Sequence, residues 1–181
     1  MSTKYKFHNK EGIYFITFVV VDWVDVFIRP IYQEIIVNSL IQCQKDKGMN
    51  IYAWCLMTNH MHMIFSDENK NPSQLIQDFK GFTSRAIIKA IKENPKESRK
   101  FWILQKFQMK AMNMSNVKKY QFWQNSNHQI ELWSNEVIDE KVNYIHNNPV
   151  KAGFVENPWD WALSSAKNYI GEKGLIDVIQ L

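Results

Sequence analysis

The hydrophobic pattern changes period several times along the chain, and each change marks an element. Ile13–Val21, IYFITFVVV, is apolar at both alternating sets of positions, the mark of a strand covered on both faces. A helix is expected from Arg29 to Lys47. Pro30 suits its first turn, Gly48 its stop, and Ile36, Val37, Leu40 and Ile41 its apolar stripe. Asn50–Met57 and His60–Ser66 read as two strands joined tightly at Thr58–Asn59. Asn71-Pro72 then opens a second helix, with Asn71 as its cap, running to Glu93. Leu75, Phe79, Phe82 and Ala86 line one of its faces. Arg99–Met114 is helical or irregular. A fourth strand is expected around Gln121–Trp123, and a last helix over Glu136–Asn147, ended by Pro149. The tail turns at Asn157-Pro158 and Gly171 and is expected to pack around the domain.

This order of elements predicts an α/β (α+β) chain, a ferredoxin-like sandwich with a central antiparallel sheet and an added C-terminal helix. With 181 residues, no repeat and no Pro/Gly-rich linker, one domain over 1–181 is expected. A 45% hydrophobic, 14% aromatic composition can build its core. The amino terminus lacks the pattern of a signal peptide, and Ile13–Val21 is too short to span a bilayer. Cys43 and Cys55 lie in apolar segments and read as buried thiols, not as a disulfide framework. A cytoplasmic protein without a membrane partner is the expectation.

Charge changes the picture by its distribution. The net charge is only +4, yet Lys80 to Lys119 carries eleven Lys/Arg against two Glu. The flanking parts are each net acidic. A concentrated basic surface implies a polyanionic partner. Arg85, Lys89, Lys92 and Lys96 recur at helical spacing along one stripe, and Arg99, Lys100, Lys106, Lys110, Lys118 and Lys119 extend it. Phe101, Trp102 and Phe107 are candidates to stack unpaired bases.

Two constellations carry candidate chemistry. In His60-Met61-His62 the strand period turns both imidazoles to one face and Met61 and Met63 to the other. The pair can grip one ion, although two ligands alone make a poor site. The last helix offers a third donor. Tyr144 and Asn148 are four residues apart, on one face that reaches back to Lys141. Ile138, Val142 and Ile145 can anchor the helix on the sheet. Asn148 presents a neutral amide oxygen, Tyr144 a nucleophilic one, and Lys141 a cation for a phosphate. Alone, each also reads as ordinary structure: a tyrosine at the core edge, an asparagine at a helix end, a solvated lysine. His128 can orient DNA or shape the surroundings of a metal, and equally be structural. His8 and His146 rank lower, since His146 points away from the Tyr144 face.

These residues resemble a known family. Trp54–Phe65, WCLMTNHMHMIF, resembles the His-hydrophobic-His strand of the HUH single-strand nucleases. Tyr144–Val155, YIHNNPVKAGFV, is similar to the tyrosine helix and following turn of REP-associated tyrosine transposases, within the single-tyrosine transposases. Phe122-Trp123 with Asn127-His128-Gln129-Ile130, and Trp161–Ala166, resemble the blocks on either side of that helix. The likeness runs from Lys6 to Tyr169, residues 6–169, and its specificity lies in the ordered combination.

The resemblance implies a metal-dependent enzyme that cleaves and rejoins single-stranded DNA through a 5′-phosphotyrosine. It implies Tyr144 as nucleophile, His60, His62 and Asn148 as metal ligands, and single strands bearing hairpins as substrate. The ion is expected to be Mg2+ or Mn2+, manganese accepting imidazole more readily. The protein would associate with the nucleoid when bound to DNA. Monomer and homodimer both occur in such a family and stay open. Two other readings stay open as well: a non-catalytic, domesticated nucleic-acid-binding domain, and a metal-dependent phosphodiesterase that uses water.

Overall fold

The computed structural model describes residues 7–112, 119–125 and 128–181. Its centre is a four-stranded antiparallel sheet in the order β2-β3-β1-β4, where β1 is Ile13–Val19, β2 Met49–Leu56, β3 His60–Asp67 and β4 Ile130–Leu132. The helices are α1 (Pro30–Lys47), α2 (Pro72–Glu93), α3 (Lys100–Met112), α4 (Asn135–Lys151) and the short α5 (Ala166–Tyr169).

Strand alternation sorts the core into two halves. Tyr14, Ile16 and Phe18 of β1 join Met61, Met63 and Phe65 of β3 on one face, under α1, α2 and α3. Phe15 and Ile64 point the other way and pack with Ile138, Val142 and Ile145 of α4. A bulge in β2 between Ile51 and Ala53 places Tyr52 and Ala53 together on the α4 face. The sheet is therefore covered by helices on both sides, and α4 alone of the long helices lies on the histidine side.

Helix ends follow local chemistry, with two departures from expectation. Gly48 ends α1 at φ +66, where a Cβ would meet the Asn69 side-chain nitrogen at 2.8 Å. Asn71 makes no side-chain cap to α2; its backbone N–H donates instead to Asp67 (2.8 Å). Pro149 does not end α4, which continues to Lys151. Proline's fixed φ is itself helical, so within the last turn only one N–H is lost. Gly153, at φ +74, supplies the stop, and Phe154 N–H donates to the Pro149 carbonyl at 3.0 Å.

The fourth strand also differs from expectation. Gln121–Trp123 contributes only a single bridge, Val20 to Trp123, while Ile130–Leu132 pairs with Ile13–Phe15. Phe122 and Trp123 are 1% and 3% exposed and act as core plugs instead. Two apolar stripes are narrower than expected: Phe82 and Ile41 are exposed, while Ile87, Ile88 and Ile91 are buried on α2, and Tyr32 and Cys43 on α1. Cys43 and Cys55 are buried free thiols, and burial pushes the Cys43 thiol up to about 11. The tail covers the outer edge of β2: Leu56 N–H donates to Leu163 O (2.8 Å), Ser165 N–H to Trp54 O (2.9 Å) and Ile179 N–H to Ile51 O (2.9 Å). No helix among the described residues is long and apolar enough to cross a membrane.

Candidate active site

The register of β3 against β1 sets His62 opposite Thr17 and His60 opposite Val19. The imidazole centroids of His60 and His62 are 4.9 Å apart. Each ring has one nitrogen already engaged. His62 Nδ1 lies 2.8 Å from Thr17 Oγ1, and His60 Nδ1 lies 2.8 Å from Asn59 Oδ1. The Asn59 amide N–H groups donate to Asp25 Oδ1 (2.9 Å) and to the Trp23 carbonyl (3.3 Å). Its oxygen therefore accepts from His60 Nδ1–H, which leaves the Nε2 lone pair outward. Thr58 Oγ1 also donates to Asp25 (2.6 Å), and Arg99 Nη1 donates to the Asp25 carbonyl (2.9 Å). A chain of contacts thus runs from the start of α3 to the first histidine.

Burial keeps both imidazoles neutral. It drives His62 down to about 3, with the neighbouring His60 adding to the effect. Burial also lowers His60, opposed by the nearby Asn148 side chain and by Asp25. That contact brings α4 to the pair. Neutral imidazoles are the form that ligates metal.

Tyr144 stands at the same place. Its ring centroid is 5.1 Å from that of His62 and 6.0 Å from Phe15, which stacks on His62. The residue is 39% exposed, and its hydroxyl has no hydrogen-bond partner among the described residues. Lys141 Nζ is 6.0 Å from the Tyr144 ring centre and 2.9 Å from Glu140. Lys151 Nζ is 5.7 Å from the same ring. So His60, His62, Asn148, Tyr144 and Lys141 all converge. Among the described residues no group of three or more His, Cys, Asp and Glu gathers in a metal-holding cluster, and the third donor here is an amide.

Other candidates scatter. His128 is exposed and takes a left-handed backbone conformation (φ +44) ahead of β4. Arg85 and Lys89 lie exposed on α2, a helix of the opposite face, and Lys89 reaches Glu93 at 4.0 Å. Lys92 sits over the Tyr120 ring at 4.4 Å, Lys119 at 5.7 Å, and Lys100 donates to the Lys92 carbonyl. Lys96 and Lys110 are exposed, and Lys118 lies outside the described residues. Arg99 is occupied by Glu97 and the Asp25 carbonyl. Phe101 and Trp102 are exposed, whereas Phe107 is fully buried and cannot stack on a base.

Residue-pattern reasoning missed Thr17, Asp25, Asn59, Trp23 and Lys151. Lys151 had a signal, the i+7 recurrence after Tyr144 and Asn148. Thr17 is visible only through strand register. His146 ranks low by its place on the helix, yet it fastens α4. It is 7% exposed, its Nε2 is 2.8 Å from Ser165 Oγ, and Trp54 N–H donates to that same Oγ at 2.9 Å.

Comparison with known proteins bears on the family and the fold. The family description "Transposase IS200 like" matches residues 10–148. A REP-associated tyrosine transposase of Escherichia coli is 24% identical over 166 residues, 91% of this chain and 82% of that protein. A Haemophilus influenzae protein provisionally given the same name is 25% identical over 173 residues, 91% of this chain and 85% of that one. The fold matches a solved REP-associated tyrosine transposase bound to a REP hairpin, with a TM-score of 0.66 at 20% identity, covering 100% of this chain and 95% of the other.

Proposed function

The chain belongs to the IS200-like transposase family, and on that premise we propose that it cleaves and rejoins single-stranded DNA with Tyr144 as nucleophile. The observation that carries the reading is the Tyr144 ring 5.1 Å from His62, beside a second neutral imidazole and the Asn148 amide. The β2-β3-β1-β4 order and the helices on both faces support a ferredoxin-like sandwich carrying a catalytic helix. The whole chain, 1–181, then acts as one domain, since its tail bonds to the edge of β2.

In this reading the phenolic oxygen attacks a DNA phosphorus in line. A P–O bond forms to Tyr144 as the bond to the 3′ oxygen breaks, and that oxygen leaves as a hydroxyl. A 3′-hydroxyl attacking the 5′-phosphotyrosine reverses the exchange and joins strands. The intermediate conserves the phosphodiester energy, so no nucleotide triphosphate is consumed. Lys141 and Lys151 flank the ring and stand where they can meet the charge of the incoming phosphate. His60, His62 and Asn148 would hold Mg2+ or Mn2+, and their chemistry fits: two neutral imidazoles, with Nδ1 of each engaged, and a polar amide. Such an ion supplies charge stabilisation at a non-bridging phosphate oxygen. Asn59 and Thr17 fix the rings, and Phe15 packs behind them.

The substrate in this reading is a hairpin-bearing single strand, met in the cytoplasm at the nucleoid. Phosphates would be held by Arg85, Lys89, Lys92, Lys96, Lys100, Lys106, Lys110, Lys118 and Lys119, with His128 near the DNA path. A homodimer is compatible with the site, since one chain brings all five converging residues together.

Incubation with a single-stranded hairpin oligonucleotide and Mn2+, followed by denaturing electrophoresis, tests the proposal. The wild type forms a covalent band and Tyr144→Phe forms none. Cleavage by Tyr144→Phe without an adduct would instead establish a water-using phosphodiesterase, and binding without cleavage by the wild type a non-catalytic domain.

A further inference from the structure

Just beyond β1 the backbone turns through two consecutive residues in the left-handed region, Asp22 and Trp23, each at φ +54. An L residue with a large side chain seldom adopts that conformation unless its surroundings impose it. Here they do. Trp23 N–H donates to Val20 O at 3.0 Å, its carbonyl accepts from Asn59 at 3.3 Å, and Asp22 pairs with Lys106 at 3.6 Å.

What the turn holds up is not a core residue. The Trp23 indole is 57% exposed, and its ring centre is 5.7 Å from that of His60. The Asp22–Lys106 pair links this turn to α3, where Trp102 is itself 46% exposed, with Lys106 Nζ 5.5 Å from its ring centre. Lys110 follows one turn along α3, also exposed. Exposed rings interleaved with cations, beside a phosphate-handling site, suit an unpaired nucleic-acid strand: bases stack on rings and phosphates lie on ammonium groups.

We propose that Trp23, with Trp102 behind it, is a stacking platform for the unpaired bases next to the phosphate at His60 and His62. The choice of occupant rests on the nuclease reading above. The strained turn is then explained by function, since it fixes one indole at the mouth of the site.

The experiment uses the full chain carrying Tyr144→Phe, so that no adduct traps the DNA. Fluorescence anisotropy compares an oligo-dT strand with a matched strand of abasic residues. Trp23→Ala should weaken oligo-dT binding about tenfold and leave the abasic strand unchanged, while Trp23→Phe retains most of the affinity. Trp23→Gly relieves the left-handed backbone, so it should match or exceed the parent in Tm and still lose oligo-dT. Equal loss on both strands, undiminished oligo-dT binding, or a fall in Tm alongside affinity in the glycine variant would each overturn the platform. Failure of the two proposals can be told apart. Trp23-dependent binding without a Tyr144 adduct in the unsubstituted chain keeps the platform and removes strand transfer. An adduct with Trp23-indifferent binding does the reverse.

Discussion

The two faces of the sheet are built to different tolerances. On the α4 face the groups that frame the site are fixed: His62 by Thr17, His60 by Asn59 and Asp25, and α4 by His146 on Ser165. Behind the other face positive charge is plentiful and loosely held, on exposed lysines of α2 and α3 with partners such as Glu93 at 4.0 Å. The contrast teaches where precision is needed. Bond-making requires atoms held within a fraction of an ångström, which short side chains on strands provide. Attracting a polyanion requires only charge within a Debye length, which long side chains on helix exteriors provide. Substitutions on the two faces should therefore separate chemistry from affinity.

The largest effect is expected at the histidine pair. His60→Ala and His62→Ala should each cut adduct formation with hairpin DNA and Mn2+ by at least about a hundredfold, given that even supporting groups around a metal are worth about ten- to a hundredfold. Equilibrium binding of the same DNA, measured without metal, should change less than about threefold. Loss of binding in step with loss of adduct would erase the distinction between the faces.

Acid stability is the next largest expectation. His146 is held at about 4 by burial, against 6.5 unperturbed. Below 6.5 the unfolded chain takes up a proton that the folded chain refuses. The stability is complete above pH 6.5 and is lost as pH falls toward 4, by up to about 3 kcal/mol. Burial likewise drives His62 to about 3, so it adds loss in the same direction. At Glu97, burial pushes the carboxyl up, but hydrogen bonds from Arg99 and Arg29 outweigh it and hold the group at about 2. That contribution is present above 4.5 and is lost as pH falls from there toward 2. Urea unfolding across pH should show both windows, and His146→Gln should shrink the upper one to the part that His62 contributes and leave the lower one unchanged.

Much of this was legible in the residue pattern because period and spacing are local. His60 and His62 share a face by strand period, and Tyr144 and Asn148 by helical period. The buried stripe of Ile138, Val142 and Ile145 was equally plain. What was not legible depends on pairing between distant segments. Thr17 faces His62 only through the β1–β3 register, and the hydrogen-bond relay from Asp25 to His60 passes through Asn59. The true fourth strand is three residues long with an exposed Ile130, too short to carry an alternating signal, whereas Phe122 and Trp123 mimic one. Pro149 misled for a different reason. Proline disrupts the turn before it, and inside a last turn that disruption is a single missing donor.

A smaller effect is expected where α4 is fastened. His146→Ala leaves Ser165 Oγ and the Trp54 N–H without the imidazole in a buried cluster, a loss of about 1–3 kcal/mol. For a chain of this size Tm should fall by about 2–4 °C for each kcal/mol lost. Because His146 is two residues from Tyr144 and turned away from it, kcat for adduct formation should fall while the apparent affinity for DNA holds. Asparagine at this position can still donate to Ser165 and should recover part of the rate. Equal loss in both parameters would mark a purely global destabilisation.

The smallest effect, and the sharpest on the comparison itself, concerns the lysines. Each phosphate contact removed from a single strand should lower the slope of log affinity against log salt by about 0.7. Lys106 and Lys110 lie on α3, the helix that adjoins the Trp23 turn, whereas Arg85 and Lys89 lie on α2. Lys106→Gln with Lys110→Gln should therefore lower the slope for oligo-dT by about 1.4, and Arg85→Gln with Lys89→Gln by less. At saturating DNA neither pair should change the rate of adduct formation, since no member touches Tyr144. Equal slopes for the two pairs would mean that one strand crosses both helices, and the basic stripe would then be a single track instead of a near part and a far part. A changed saturating rate for the α2 pair would show charge acting through the sheet on the chemistry, and the separation of the two faces would fail.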